Sequence, residues 1–463
     1  MPHISVKTGI GVVLFLALIF PFIFLGGFTQ LLMDDYCRAG ISLADYPGQV
    51  VLWFAEHNGR YINALMALLP VYTLSVYRIV LISLMVTLFC AFVYLMQFLF
   101  KRYGLSDSSD SPLLLAVVSF IAMIALLPSL DEFFYWYAAA IVYEVSGIFL
   151  IFLFTELLNF WFKGRLNFYR LGILTILING NSELVIGITN LLLLSTLIFH
   201  YIRTRNFDFR LFLLNLISWV STLLLIYAPG MTQRQNQFTY GGDLWGSAKV
   251  ALFYGTKFIG VSMFSLTQIL FYLFTFFFLW KLKKGFKKKL NPINPIILGI
   301  LSYISVLSMV FIMYYAMGTF KSYGQWRAFN LLRLITFILF VVNIFNLVCF
   351  LKEKEINLRI PKYLNSLILV GFIFSLSQNK NYIALHEGFL SKDYLHLKKE
   401  MKKRENQIQN AEGEVIELQS ISNTFFLNSG DEEIRKEEWV RKCYIKYLNM
   451  KYDKGFSDVK FKN

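Results

Sequence analysis

Runs of apolar residues long enough to cross a bilayer recur along this chain. A hydrocarbon core of about 30 Å takes about 20 apolar residues in a helix. Runs of roughly that kind lie near 8–28, 78–99, 112–128, 138–160, 168–179, 184–201, 211–228, 252–280, 294–317, 331–351 and 362–378. In lipid every backbone polar group must be paired internally, and a helix does this within one segment. The fold expected is therefore all-α and polytopic, with about 11 transmembrane helices. Composition agrees: of 463 residues, 57% are hydrophobic and 16% charged, where average soluble domains carry about 25% charge. A water-soluble fold would have to hide more apolar surface than one or two cores offer. Disorder requires low hydrophobicity, and four cysteines do not make a disulfide-built scaffold.

The fifth run is short and is interrupted by Asn179-Gly180-Asn181-Ser182-Glu183. The fifth and sixth runs read as a short helix, a polar break and a return helix, a form tolerated only where the backbone is buried in protein or lines a polar cavity. The first run follows Lys7, lacks a small-residue cleavage site and ends in Gly-Gly-Phe-Thr. It reads as a retained signal anchor.

The net charge of +15 does not point to nucleic acid, because the basic residues fall between the apolar runs. With the N-terminus in the cytoplasm, the inner segments hold 19 cations and five acids, including six lysines between Lys281 and Lys289. The outer segments up to Glu387 hold ten of each. This asymmetry is the one that orients inner-membrane proteins. It places the tail from about residue 379 outside. From Lys392 onward the chain carries 15 cations and 13 acids. Residues 391–411 read as a charged amphipathic helix, 415–421 as a short strand and 433–452 as a second helix. Residues 1–378 thus form the membrane domain, and 379–463 a small extracytoplasmic α/β cap.

The unusual polar residues gather on the outer side. The first outer loop, 29–77, opens with Asp34-Asp35-Tyr36-Cys37-Arg38 and continues through Trp53, Glu56, His57 and Asn58-Gly59-Arg60-Tyr61. Adjacent carboxylates repel, which raises the pKa of one of them. Such a group can take a proton from a hydroxyl or hold a divalent cation; solvated acids at a helix end are the plain alternative. A second cluster is Asp131-Glu132, Tyr135-Trp136-Tyr137 and Tyr143-Glu144. Its aromatics fit an interfacial belt or a sugar-stacking platform, and Glu144 is an intramembrane acid that needs a partner. The third is the 179–183 break with Asn181 and Glu183, which a tight turn would also explain. Ala228-Pro229-Gly230 stops a helix and brings Arg234 just beyond it. Tyr323-Gly324-Gln325-Trp326-Arg327 supplies another outer arginine. The planar guanidinium suits phosphate, while ion pairing to the outer acids would equally occupy it.

Other chemistries find little support. The five histidines are scattered and no Cys-x-x-Cys occurs. Cys90 and Cys349 fall in apolar runs as packing residues, and Cys37 and Cys443 both lie outside, where they could pair. No Walker loop or dinucleotide fingerprint is present, so energy must come with the substrate.

In this order, the Asp-Asp-Tyr-Cys and Asn-Gly-Arg-Tyr motifs, the Trp136–Tyr143 stretch, the Asn-Ser-Glu break, Ala-Pro-Gly-x-x-x-Arg and the outer Arg327 resemble a bacterial family of multi-pass proteins related to the GT-C glycosyltransferases. That family includes glucosyltransferases that decorate surface polysaccharides. Met231 stands where the family usually has Asn. The resemblance covers most of the chain, tail included. It implies a GT-C-like fold and transfer of a sugar, glucose in the usual case, from polyprenyl phosphate to a cell-envelope glycan such as O-antigen, by one inverting displacement at the outer face of the cytoplasmic membrane. Asp35 would be the base, with Asp34 as alternative or helper. Arg234 and Arg327, with Arg60, would hold the donor phosphate. Glu183, Asn181, Glu144, Trp136 and Tyr135 would bind sugar or acceptor. Two other classes share parts of this pattern. An O-antigen-type polymerase would use the arginine loops, and a flippase would need polar residues on both sides of the membrane.

Overall fold

The computed structural model describes residues 6–39, 41, 44–67, 73–102, 110–236, 242–282, 292–317, 326–356, 358–361, 363–421, 427 and 430–462. Helices α1 (Val6–Leu18) and α2 (Phe20–Leu25) form the first apolar stretch, offset where Pro21 enters the first turn of α2. The polar stretch after it holds α3 (Asp35–Ala39), α4 (Tyr46–Leu52), a π-helical turn Trp53–Asn58 and α5 (Tyr61–Ala67). Then come α6 (Leu74–Arg102), α7 (Asp110–Leu126) and α8 (Tyr137–Lys163). Asn167 accepts the Arg170 amide to start α9 (Phe168–Asn181). A 3-10 turn, Glu183–Val185, leads into α10 (Ile186–Thr204). Asp208 caps α11 (Phe209–Ile226) by accepting the amides of Arg210 and Leu211. After α11 the Pro-Gly pair does more than stop a helix, because Pro229 opens α12 (Pro229–Asn236).

The run at 252–280, expected as a single helix, is two. Helices α13 (Leu244–Met263) and α14 (Leu266–Lys281) meet at 73°. The Ser265 hydroxyl accepts the Gln268 amide, so a new N-terminus forms inside the apolar run. Helices α15 (Pro295–Met317), α16 (Trp326–Glu353) and α17 (Leu364–Leu376) complete the apolar set. Among the described residues seven helical segments are long and apolar enough to cross a membrane, or eight with the α13–α14 pair taken as one bent span. Helices α7 and α17 are shorter apolar helices. The protein is thus an all-α polytopic membrane protein.

Contacts place the ends of successive apolar helices alternately at two ends of a bundle. At one end, Asp35 joins the start of α6 through Tyr77 and the start of α8 through the Ala138 amide. Asn330 of α16 donates to the Ser129 carbonyl beyond α7, and the Gly242 amide before α13 donates to Tyr315 near the end of α15. At the other end, Lys7 meets Ser111, Arg170 of α9 meets Glu156 of α8, and Trp161 meets Thr196 of α10. Lys352 donates there to the carbonyls of Leu279 and Leu282. Helices α9 and α10 therefore form a hairpin whose turn, the polar break, lies toward the Asp35 end.

Helix α8 is central: 89% of its apolar 18-residue stretch is buried, against 33–39% in five of the other spans. Buried threonines of the spans return their hydroxyls to the carbonyl four residues back, as Thr155 does to Ile151 and Thr336 to Leu332. Asn179, Ser218, Asn190 and Thr222 form a hydrogen-bonded string across α9, α11 and α10. Such strings join helices in a medium that gives no hydrophobic drive to their association.

The tail leaves α17 at the Asp35 end. Helix α18 (Lys380–Leu390) is fixed there, with Asn381 donating to the carbonyls of Ile124 and Leu127. Beyond it lie α19 (Asp393–Asn410), β1 (Val415–Gln419), α20 (Asp431–Lys436), α21 (Glu438–Tyr452) and β2 (Asp458–Lys462). The stretch expected as one helix over 433–452 divides at Glu437, which has extended backbone. Strand β1 pairs in parallel with β2, Val415 opposite Asp458. Arg404 and Asp431, both buried, bond in bidentate fashion, and Asp431 also accepts the Ile421 amide. A disulfide between Cys37 and Cys443 fastens α21 to α3.

Candidate functional site at one end of the bundle

The two adjacent aspartates lie in different surroundings. Asp35 opens α3 and is 2% exposed. Its Oδ2 accepts the Leu32 amide at 3.2 Å and the Tyr77 hydroxyl at 2.9 Å, and its Oδ1 accepts the Ala138 amide at 3.1 Å. Burial, and next the Asp34 charge, push its carboxyl up to about 7 despite those donors and Arg38. Asp34 keeps 22% of its side chain exposed. Its Oδ2 pairs with Arg38 Nη2 at 2.7 Å, and its Oδ1 accepts the Trp136 indole N–H at 3.2 Å. The aspartate with access to solvent is thus Asp34; Asp35 ties together α3, α6 and α8.

Around Asp34 the contacts spread in two directions. The Arg327 guanidinium lies over the Trp136 ring, 4.7 Å from its centroid, a cation–π arrangement. The Arg327 amide donates to Glu132 at 3.0 Å. Burial raises the Glu132 carboxyl, and Arg327 partly offsets that rise. On the other side the Arg38 guanidinium lies 5.0 Å from the centroid of Trp53, which packs on His57. Beside them is a cavity of about 210 Å³ lined by Arg38, Trp53, His57, Cys443 and Lys446.

Arg60 and Glu183 form a second, closed cluster. Gly59 ends the π-helical turn at φ +64°, and a side chain there would meet Ala228. This directs Arg60 inward, where Nε and Nη2 each reach Glu183 at 2.5 Å. Burial works against the guanidinium charge, but Glu183 and Tyr143 outweigh it and hold Arg60 above its ordinary value. Asn181 donates to the carbonyls of Ile141 and Val142 and to Ser146, tying the break between α9 and α10 to α8. Gly180 is needed beside it, since a side chain there would enter the Tyr61 ring.

The structure therefore brings Asp34, Asp35, Trp136 and Arg327 into one connected group. Arg60, Glu183 and Asn181 sit deeper along α8 and are bonded to protein. Tyr135 is buried with its hydroxyl on the Phe22 carbonyl, and Glu144 is fully buried with neither oxygen hydrogen-bonded among the described residues. Neither lies on an open surface. Helix α12, which carries Arg234, packs on the Trp53–Asn58 turn; the Arg234 side chain and residues 323–325 lie outside the described residues. Two participants were not singled out from the sequence. Arg38 was legible as the i+4 partner of Asp34. Tyr77 arrives from a distant helix and leaves no local signal.

N–H or O–H donors face both oxygens of each aspartate. Among the described residues no three His, Cys, Asp or Glu side chains converge as metal ligands. Compared with protein-family models, curated proteins and solved structures, the chain matches none.

Proposed function

We propose that the protein is a GT-C-type membrane glycosyltransferase. It moves a sugar, glucose in the usual case for the family it resembles, from a polyprenyl-phosphate carrier to a cell-envelope glycan. The observation that carries this reading is Asp34, a half-buried carboxylate at one end of a membrane bundle, with Arg327 stacked on the indole that holds it. In this reading Asp34 takes the proton of an acceptor hydroxyl. The hydroxyl oxygen attacks the anomeric carbon, the bond from that carbon to the phosphate oxygen breaks, and polyprenyl phosphate leaves with inversion. Arg327 and Arg234 neutralise the departing phosphate. Trp136 positions Asp34 and Arg327, and Asp35 fixes the segment that presents Asp34. Arg60, Glu183, Asn181, Tyr135 and Glu144 belong to the scaffold beneath.

We further place this end outside a bacterial cytoplasmic membrane, with eleven crossings and a cytoplasmic N-terminus. Supporting this, Lys7, Arg170, Lys281 and Lys352 gather at the opposite end. A disulfide joining the first polar stretch to the tail also suits an oxidising compartment.

The test is glycan analysis of a deletion strain complemented with wild type, Asp34→Asn or Asp35→Asn at equal membrane abundance. Asp34→Asn is expected to leave the glycan undecorated, whereas Asp35→Asn retains transfer. Full decoration by Asp34→Asn would refute the base assignment. Accumulated single lipid-linked repeat units in the deletion strain would point to a polymerase instead.

A further inference from the structure

Between the bundle end and the cap lies a second cleft, of about 390 Å³, with Tyr36 in its lining. Five cations and one acid line it. Arg404 is neutralised by Asp431, and Lys451 pairs with the one lining acid, Glu405, at 3.2 Å. Arg78, Lys398 and Lys402 make no ion pair among the described residues, although Arg78 donates through Nε to the Thr29 carbonyl. The cleft thus keeps a net positive charge, with Glu405 in electrostatic reach of Lys402 as well as Lys451. Lys398 and Lys402 are four residues apart on α19 and stand on one face of it.

Four tyrosines and five apolar side chains, Leu31, Leu74, Met401, Ile408 and Leu448, make up most of the remaining lining. Tyr447 and Tyr452 border the cleft half-buried, backed by the buried Tyr36 and Tyr444. The Tyr36 ring packs at 4.8 Å on Tyr444 and 5.5 Å on Tyr447. The Cys37–Cys443 disulfide lies one residue from Tyr36 and one from Tyr444, so the two walls are covalently joined. Cations spaced along a helix with rings opposite match a chain of sugars that carries repeated negative charge. Lys402 lies two turns beyond Tyr394, the residue of α19 that packs on Phe28 at the bundle, so the cations run from the start of α6 along α19.

We propose that this cleft binds a polyanionic glycan, with phosphate or carboxylate groups on Arg78, Lys398 and Lys402 and sugar rings against Tyr447 and Tyr452. In the transferase reading this glycan is the acceptor; its binding to the cleft does not depend on that reading.

The test measures binding of fluorescent dextran sulfate, with neutral dextran as reference, to the full-length protein in detergent. The Lys398→Ala/Lys402→Ala variant removes two exposed charges and no packing. It is expected to bind dextran sulfate about tenfold more weakly, as is Arg78→Gln. A control variant, Lys442→Ala/Lys460→Ala, carries the same charge change elsewhere on the cap and is expected to bind like wild type. Equal losses in cleft and control variants would overturn the proposal, since attraction would then be general. Displacement of dextran sulfate from the cleft by soluble dihexanoylphosphatidylglycerol at equal charge concentration would also overturn it, in favour of a lipid headgroup. Because the readout is binding, a transferase reading that fails leaves this result interpretable.

Discussion

Replacing Asp35 by Asn tests whether this carboxylate is structural, and its effect on stability has a sign that depends on pH. In the folded protein Asp35 holds its proton up to about pH 7, whereas the ordinary value is 3.8. Between those values the folded state binds more protons than the unfolded chain, so stability falls as pH rises. Roughly three pH units at 1.36 kcal/mol each give a loss of about 4 kcal/mol, complete above pH 7 and absent below pH 4. Asn mimics the protonated acid. It keeps an oxygen for the Ala138 amide but turns an N–H toward the Leu32 amide, at a cost of about 1–2 kcal/mol. Asp35→Asn should therefore be slightly less stable than wild type near pH 4 and more stable by about 2–3 kcal/mol near pH 8. Unfolding in detergent followed by tryptophan fluorescence from pH 4 to 8 measures the difference, in which other titrating groups largely cancel. A difference independent of pH, or one that grows unfavourable with rising pH, would refute the buried, proton-holding assignment.

Other perturbations separate scaffold from site. Glu183→Gln leaves the Arg60 guanidinium buried without its counter-charge and should cost about 3–5 kcal/mol of stability; the same unfolding assay checks it. Gly59→Ala forces a side chain into a positive-φ position against Ala228 and should lower stability by more than about 1 kcal/mol, read as a lower melting temperature. Cys37→Ser should lower cap stability by about 2–5 kcal/mol and expose the 411–421 region to proteolysis, while an intact cap in the variant would make the bond incidental.

The helices were legible because lipid imposes a simple demand: each of the eleven apolar runs became helix. The bend at Ser265 was hidden, since a single hydroxyl inside an apolar run leaves hydropathy unchanged while supplying a cap. The site was legible as motifs, not as partnerships. Asp34-Asp35 announced two acids, and only three-dimensional neighbours distinguish them: Tyr77 and Ala138 close over one, Arg38 and Trp136 hold the other at the surface. Arg60 and Glu183 looked like separate ligand-binding groups because they stand 123 residues apart, and in space they satisfy each other. The parallel pairing of β1 with β2 was likewise unreadable, because β2 closes the tail with only five residues.

The disulfide also constrains topology by parity. Cys37 and Cys443 are bonded, so they lie on one side of any membrane, and the number of crossings between them is even. The long spans between them, with α13–α14 taken as one, number seven. An odd count would put the cysteines on opposite sides. Adding the shorter helices α7, α9 and α17, whose ends also alternate between the two bundle ends, makes ten. The N-terminus and Arg203 then share one side, and Trp439 occupies the other. In intact cells lacking Cys90 and Cys349, a membrane-impermeant maleimide should label Trp439→Cys and should label Arg203→Cys only after permeabilisation. Labelling of both from outside would refute the alternation and, with it, a single face shared by Asp34, Arg327 and the cap.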